Sequence, residues 1–393
     1  MVEYSMSMQQ SEPEMQRQAW IALSAVKGIG RKTLVGLREA LQRQNITAME
    51  LWQGTPTVWT QCGLQPAQQK ALRVFRQEYL PQSYAQMLEE KGIVVVLLGE
   101  SMYPQLLAEI ADPPEILYVK NACAKSSAKP SQSIFAEAST LHVAVVGSRH
   151  MTAYGQLATE KLVGEFVQAG ACVVSGFMYG VDLCAHAAAV RMHGRTLGVL
   201  GFGFDHFYPA TEKPFFEEFL SSGNTLITEF APSVAPKAGN FPVRNRIVAG
   251  LSQAVVVVEA ALGSGSLITA QLALDYGRQV WAVSGPITSI YSEGTKNLIN
   301  QGAKLITTAW EVVEDLRPQL PRSVVVQSAV PQLQQQNLTF PEKICLLLRQ
   351  HALTIAQLQD ALQQPIENIS AALSMLEVYG KVQKRGGSWV AMA

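Results

Sequence analysis

The chain has 393 residues, 48% of them apolar and 16% charged. That supplies enough apolar surface for substantial cores and enough length for two or three domains, and it excludes a disordered or collagen-like protein. Lys plus Arg and Asp plus Glu each number 31, so no global charge excess advertises a polyanion or an anionic membrane, and any such site is local. Five cysteines stand far apart with no CxxC or CxxH pairing, which fits neither a disulfide framework nor a zinc site and suits a reducing compartment. The N-terminal stretch is polar, and the longest apolar run, Ala254 to Leu262, is interrupted by Glu259. The expectation is a cytoplasmic protein with no signal peptide and no membrane span.

From Gln16 to Leu80 the apolar pattern is helical and is broken by Lys27-Gly28-Ile29-Gly30. A Gly-apolar-Gly turn between two helices has the form of a helix-hairpin-helix, whose amides can hold a DNA phosphate; it also serves as a plain tight turn. Thr55 to Leu72 reads as a second, degenerate hairpin. Residues 1–85 are therefore expected to form a helical domain, and 86–315 an α/β domain carrying an inserted Ser-, Ala- and Lys-rich linker at 121–140. A Pro- and Gln-rich linker is expected at 316–338, before a small domain at 339–393.

The middle of the chain alternates apolar β-rich runs with helical stretches. The runs are Val143 to Val146, Ala171 to Val174, Thr196 to Leu200, Thr225 to Ile227, Ala254 to Val258, Gln279 to Val283 and Ala303 to Ile306. This pattern implies a Rossmann-like, doubly wound parallel sheet covered on both faces. In such sheets the ligand lies beyond the carboxyl ends of the strands. Those ends read Gly147-Ser148-Arg149, Ser175-Gly176, Gly201-Phe202-Gly203, Glu229, Ser264-Gly265-Ser266 and Ser284-Gly285-Pro286. Gly and Ser turns bring main-chain amides and hydroxyls close to oxygen acceptors, although βα turns also use them for capping.

Two nucleotide motifs are not met. Gly30-Arg31-Lys32-Thr33 lacks the spacing and the preceding strand of a Walker loop, and Gly201 to His206 lacks the third glycine of a dinucleotide fingerprint. No cofactor is expected. Arg149, Lys237, Arg244 and Arg246 are the basic residues near the strand ends, with Phe241 among them. Arg244 and Arg246 lie two apart, roughly 200° around a helix, so both cannot face one ligand. Arg246 reads either as a phosphate contact or as the partner of Glu229 or Glu259, and Phe241 either as a base-stacking ring or as a loop anchor. Asp182 and His186, at i and i+4, read as an acid–base pair or as a helix cap and a packed histidine. The role of Glu259 stays open.

In the tail, three helices followed by a hairpin through Arg385-Gly386-Gly387-Ser388 have the layout of a winged helix. Its third helix carries Glu367 and Glu377 and no Lys or Arg, which disfavours phosphate binding by that face. A protein contact or an accessory DNA role fits better.

Several strings resemble the DNA-processing protein A family, also called DprA or Smf. They are Val145-Val146-Gly147-Ser148-Arg149, Ser175-Gly176 with Gly180-Val181-Asp182 and Ala185-His186, Phe241-Pro242-Val243-Arg244-Asn245-Arg246-Ile247, Val258-Glu259-Ala260 and Ser264 to Ala270. The resemblance covers nearly the whole chain and implies an extended Rossmann domain, an N-terminal sterile-alpha-motif or helix-hairpin-helix domain and a winged-helix tail. It further implies a non-enzymatic protein that binds and protects single-stranded DNA, helps load the RecA recombinase during natural transformation, and forms homodimers. On this reading the DNA-binding positions are Gly147, Ser148, Arg149, Ser175, Gly176, Lys237, Phe241, Arg244, Arg246 and Ser264 to Ser266. Phe177-Met178-Tyr179 departs from the smaller residues usual there. Two other readings stand beside it: a nucleotide phosphoribohydrolase using Glu259 or Glu229, and a scaffold without nucleic-acid affinity.

Overall fold

The computed structural model describes residues 11–121, 135, 140–317, 339–350, 353–362, 364–385 and 388–391. The 121–140 insertion, the 316–338 linker and the tip of the tail hairpin lie largely outside the described residues. Two compact units are present, 1–316 and 317–393.

The first unit is built on a nine-stranded sheet. Its strands are β1 (Ile93–Leu97), β2 (Ile116–Asn121), β3 (His142–Val146), β4 (Cys172–Ser175), β5 (Thr196–Val199), β6 (Thr225–Thr228), β7 (Ala254–Val257), β8 (Gln279–Val283) and β9 (Lys304–Ile306). The order across the sheet is β1-β2-β6-β5-β4-β3-β7-β8-β9. From β6 to β9 every pairing is parallel, with Val143 opposite Ala254 and Val146 opposite Val257 at the centre. The sheet is not wholly parallel as expected. β1 and β2 join its edge antiparallel, Tyr118 facing Thr228 and Val95 facing Tyr118.

Side chains along each central strand alternate between two apolar layers, as the pleat requires. Val143, Val145, Val173, Val256 and Val258 pack with Leu162 and Phe166 of α8 (Ala153–Gln168) and Ala185 and Ala189 of α9 (Val181–Arg191). Ala144, Val146, Val174, Val255 and Val257 face the other way, onto Ile247 and Val248 of α11 (Asn240–Gly250) and Ala270 and Ala273 of α12 (Gly265–Asp275). The strands read as continuous apolar runs because both faces are covered.

Among the described residues six helices precede the sheet, including α1 (Glu12–Ala25), α2 (Arg31–Gln44), α4 (Pro56–Gln61) and α5 (Pro66–Glu78). Turns join α1 to α2 and α4 to α5, where the hairpins are expected. Gly28 turns the first at φ 89° and Gly63 turns the second at φ 88°, a left-handed conformation that glycine adopts without strain. The hairpins touch through Gln68, whose Nε2 donates to the Gly28 carbonyl (2.8 Å) and to Thr33 Oγ1 (3.1 Å). These helices share one apolar cluster with Ile93, Ile116 and Tyr118 of the sheet. The expected boundary near residue 85 is therefore a change of secondary structure within continuous packing. In the second unit, helices Phe340–Gln350, Ile355–Leu362 and Ile366–Val378 precede a two-stranded hairpin, Val382–Arg385 with Ser388–Ala391, around a core that includes Ile344, Leu358, Leu373 and Trp389.

Candidate nucleic-acid interface

Chain order runs outward from β3 in both directions, β4-β5-β6 one way and β7-β8-β9 the other. The topological switch therefore falls between β3 and β7, where an open α/β sheet leaves a crevice at its carboxyl edge. The loops leaving these strands are tied together. Ser148 N donates to the Glu259 carbonyl (2.7 Å), and the buried Glu259 carboxylate accepts from Thr152 N (2.9 Å) and Thr152 Oγ1 (2.5 Å). Thr152 in turn caps α8 by accepting from Gly155 N (3.1 Å). Glu259 is thus a loop clamp.

A crevice of about 410 Å³ opens here. It is lined by Gly147, Ser148, Arg149, Gly176, Phe241, Arg244 and the Ser264-Gly265-Ser266 turn that starts α12. Ser264 caps that helix, and Asn245 Nδ2 holds the Gly265 carbonyl (3.2 Å). α12 thus starts at the crevice, and the positive end of its helix dipole favours an anion there.

The expected basic residues separate into three environments. Arg149 is exposed, lies 5.7 Å from the centre of the Phe241 ring and makes no ion pair among the described residues. Arg244 lines the floor of the crevice but is only 2% exposed. Its Nη1 donates to the Gly176 and Val199 carbonyls, its Nε to Asn245 Oδ1 (3.2 Å), and it sits 6.0 Å from the Phe241 ring. Burial pushes this guanidinium down to about 10, opposed by the nearby Asp182. Arg244 thus ties the ends of β4 and β5 to α11. Arg246, 3% exposed, points to the opposite side of α11, as the two-residue spacing requires. It forms a forked ion pair with Glu229 (2.7 Å from each of Nη1 and Nη2) and donates through Nε to the Asp112 carbonyl (3.1 Å). It does not line the crevice.

Ser175 and Lys237 are also outside the crevice lining. Ser175 is fully buried with its Oγ donating to the Val145 carbonyl (2.7 Å), and Lys237 is exposed on the approach to α11. Phe241 is 8% exposed and covered by Arg149, Arg244 and Tyr208, so it acts as the loop anchor of the two readings. Asp182 and His186 do not form an acid–base pair. Asp182 lies in the first turn of α9 behind the Gly180 cap, and burial lifts it to about 6 against the pull of Arg244. His186 is fully buried between Phe177 (4.8 Å) and Phe219 (5.2 Å), hydrogen-bonded to Thr196 Oγ1 (2.7 Å), and burial drives it down to about 3. Both carboxylates of the hydrolase reading are engaged, Glu259 by Thr152 and Glu229 by Arg246. Among the described residues no cluster of three or more His, Cys, Asp or Glu could hold a metal.

Sequence reasoning missed Asp112 as a hub. It takes Arg31 of α2, Arg246 of α11 and the Tyr276 hydroxyl (3.0 Å) at the end of α12, so it links the helical region to the two helices beside the crevice. Its partners lie 81 to 164 residues away, beyond any local signal except the Asp112-Pro113-Pro114 string itself.

The parallel strands with their switch-point crevice define an open α/β protein of the Rossmann type. Within that class the sequence is specific. Residues 94–317 match the family described as DNA recombination-mediator protein A. Protein Smf of Synechocystis sp. is 30% identical over 94% of this chain and 96% of its own length, and protein Smf of Escherichia coli is 33% identical over 77% and 78%. The X-ray structure of DNA processing protein A from Streptococcus pneumoniae superposes with a TM-score of 0.59 at 29% identity, covering 75% of this chain and 96% of that one. The chain belongs to the DprA/Smf family of DNA recombination mediators.

Proposed function

We propose that the switch-point crevice holds the sugar–phosphate backbone of single-stranded DNA, and that the protein protects such strands and promotes RecA loading in the cytoplasm. The observation that carries this reading is Arg149, an exposed and unpaired guanidinium among the described residues, lining the same crevice as the hydroxyl residues Ser148, Ser264 and Ser266. An exposed cation at a helix N-terminus adds to the positive dipole and gains a partner when a phosphate arrives. Gly147 and Gly176 let the strand ends pack closely, since a Cβ at Gly147 would lie 2.6 Å from Val181 and one at Gly176 2.6 Å from Arg244. Lys237 supplies a second exposed cation on the same approach, while Ser175, Phe241, Arg244 and Arg246 hold the site's shape. Family membership supports the polymer and the recombination role.

The protein acts as a binding mediator without catalysis, and as a homodimer. Residues 339–393 form a winged helix that serves a protein contact. The test is fluorescence anisotropy with a labelled single strand and its duplex at two salt concentrations, followed by RecA filament assembly on the bound strand. Single-strand preference with steep salt dependence supports the reading; equal or absent binding refutes it.

A further inference from the structure

Partly exposed aromatic rings are uncommon on this surface, yet three of them gather at one place. Tyr179 is 42%, Phe207 41% and Tyr208 36% exposed. Tyr179 precedes Gly180, which packs so closely on the Arg149 main chain that a Cβ there would lie 2.9 Å from Arg149 Cα. The Tyr179 hydroxyl lies 3.4 Å from Thr211 Oγ1, on the short turn that follows Tyr208-Pro209. Tyr208 stacks on Phe241 at 5.5 Å, and Phe241 lies under Arg149. Contacts and chain connectivity thus link Arg149 through Phe241 to Tyr208, and Thr211, three residues on, through Tyr179 to Gly180, which packs on the Arg149 main chain. Phe207 extends the patch outward, backed by Phe216 (5.6 Å), with Lys213 Nζ 5.4 Å from its ring centre.

We propose that Tyr179, Phe207 and Tyr208 form a stacking ledge for the unpaired bases of the strand whose phosphates the crevice holds. The inference rests on the proposed function and adds to it the source of single-strand selectivity. Every base has a π-face, so stacking on aromatic side chains tolerates any sequence, and a paired base inside a duplex cannot offer that face. The cations fit the same occupant. Arg149 stands at the crevice end of the ledge and Lys213 at the outer end, where its ion pair with Glu217 is a loose 4.0 Å and solvent-exposed. Exposed rings flanked by cations suit a polyanion that carries flat apolar groups. Two of the three rings are also held by a neighbouring ring, Tyr208 by Phe241 and Phe207 by Phe216, so little ordering of these is left for binding to impose.

The experiment compares two short single strands with the same number of phosphates, one of normal bases containing 2-aminopurine and one made of abasic sites. Wild type is expected to bind the normal strand at least tenfold more tightly than the abasic strand, and 2-aminopurine emission should be quenched on binding. Tyr179→Ala and Phe207→Ala should each cut that preference severalfold and restore emission. Tyr179→Phe should keep both, because the ring remains. Equal affinity of wild type for the two strands overturns the ledge while leaving the phosphate crevice standing, and this readout needs no variant to fold. So does full retention of preference and quenching in the alanine variants. If neither strand shows salt-sensitive binding, the crevice reading fails and the ledge with it.

Discussion

Replacing Arg149 by alanine separates binding from folding more cleanly than any other change at the crevice. Its side chain is exposed and touches the Phe241 ring at 5.7 Å, so truncation removes about 0.5–1 kcal/mol of cation–π attraction and breaks no ion pair among the described residues. Stability should therefore shift within the small range of surface substitutions. Binding should change in a defined way. Each phosphate neutralised on a single strand contributes a log–log salt slope of about −0.7. Loss of one contact should make the slope shallower by about 0.7, so that between 50 and 200 mM salt the variant loses about 2.6-fold less affinity than wild type. At 100 mM salt the same term makes the variant about fivefold weaker. The assay is anisotropy titration at four salt concentrations, paired with a thermal melt. An unchanged slope would remove Arg149 from the phosphate site, and a large fall in Tm would mean that it is structural like its neighbours.

Glu229→Gln breaks a buried forked pair and leaves Arg246 with the more exposed Asp112 carboxylate, 3.2 Å away, as its counter-charge; the expected loss is about 3 kcal/mol, or about 5 °C in Tm, with the DNA salt slope unaltered, read by calorimetry and anisotropy. Gly176→Ala places a Cβ 2.6 Å from Arg244 Nη2 and 2.7 Å from Asp182 Oδ2; it should cost about 1–3 kcal/mol by overpacking and weaken DNA binding through the displaced Arg244, and a variant of full stability and affinity would refute the tie assigned to that arginine. His186 stays neutral in the fold down to about pH 3, whereas in the unfolded chain it takes up its proton near pH 6.5. Stability is therefore lost as pH falls from about 6.5 toward 3, at up to about 1.4 kcal/mol per pH unit. Asp182, protonated in the fold below about pH 6, works in the opposite direction between about pH 6 and 3.8. Denaturant melts of wild type and His186→Gln at pH 7, 5.5 and 4.5 isolate the histidine, and equal acid dependence in the two would contradict the prediction.

The sequence by itself determined the parallel core of the sheet, because strands covered on both faces must be apolar throughout and are bounded by glycine and serine turns. It also determined that Arg244 and Arg246 diverge, because a helix turns about 100° per residue; of the alternatives left open for Arg246, the tertiary structure selects the pairing with Glu229. Three things were decided only by the tertiary structure. The apolar run at Ile93–Leu97 was not read as a strand, and its pairing with Ile116–Asn121 is set by neighbours elsewhere in the chain. The burial of Arg244 depends on carbonyls 45 and 68 residues away, so a residue that looks like a phosphate ligand in the string Phe241 to Arg246 also knits strand ends together. The gathering of Tyr179, Phe207 and Tyr208 beside Arg149 joins residues from three separate loops. Periodicity and turn chemistry act over a few residues and are written locally; which arginine remains free for a ligand depends on contacts between distant segments, and only the folded chain brings those together.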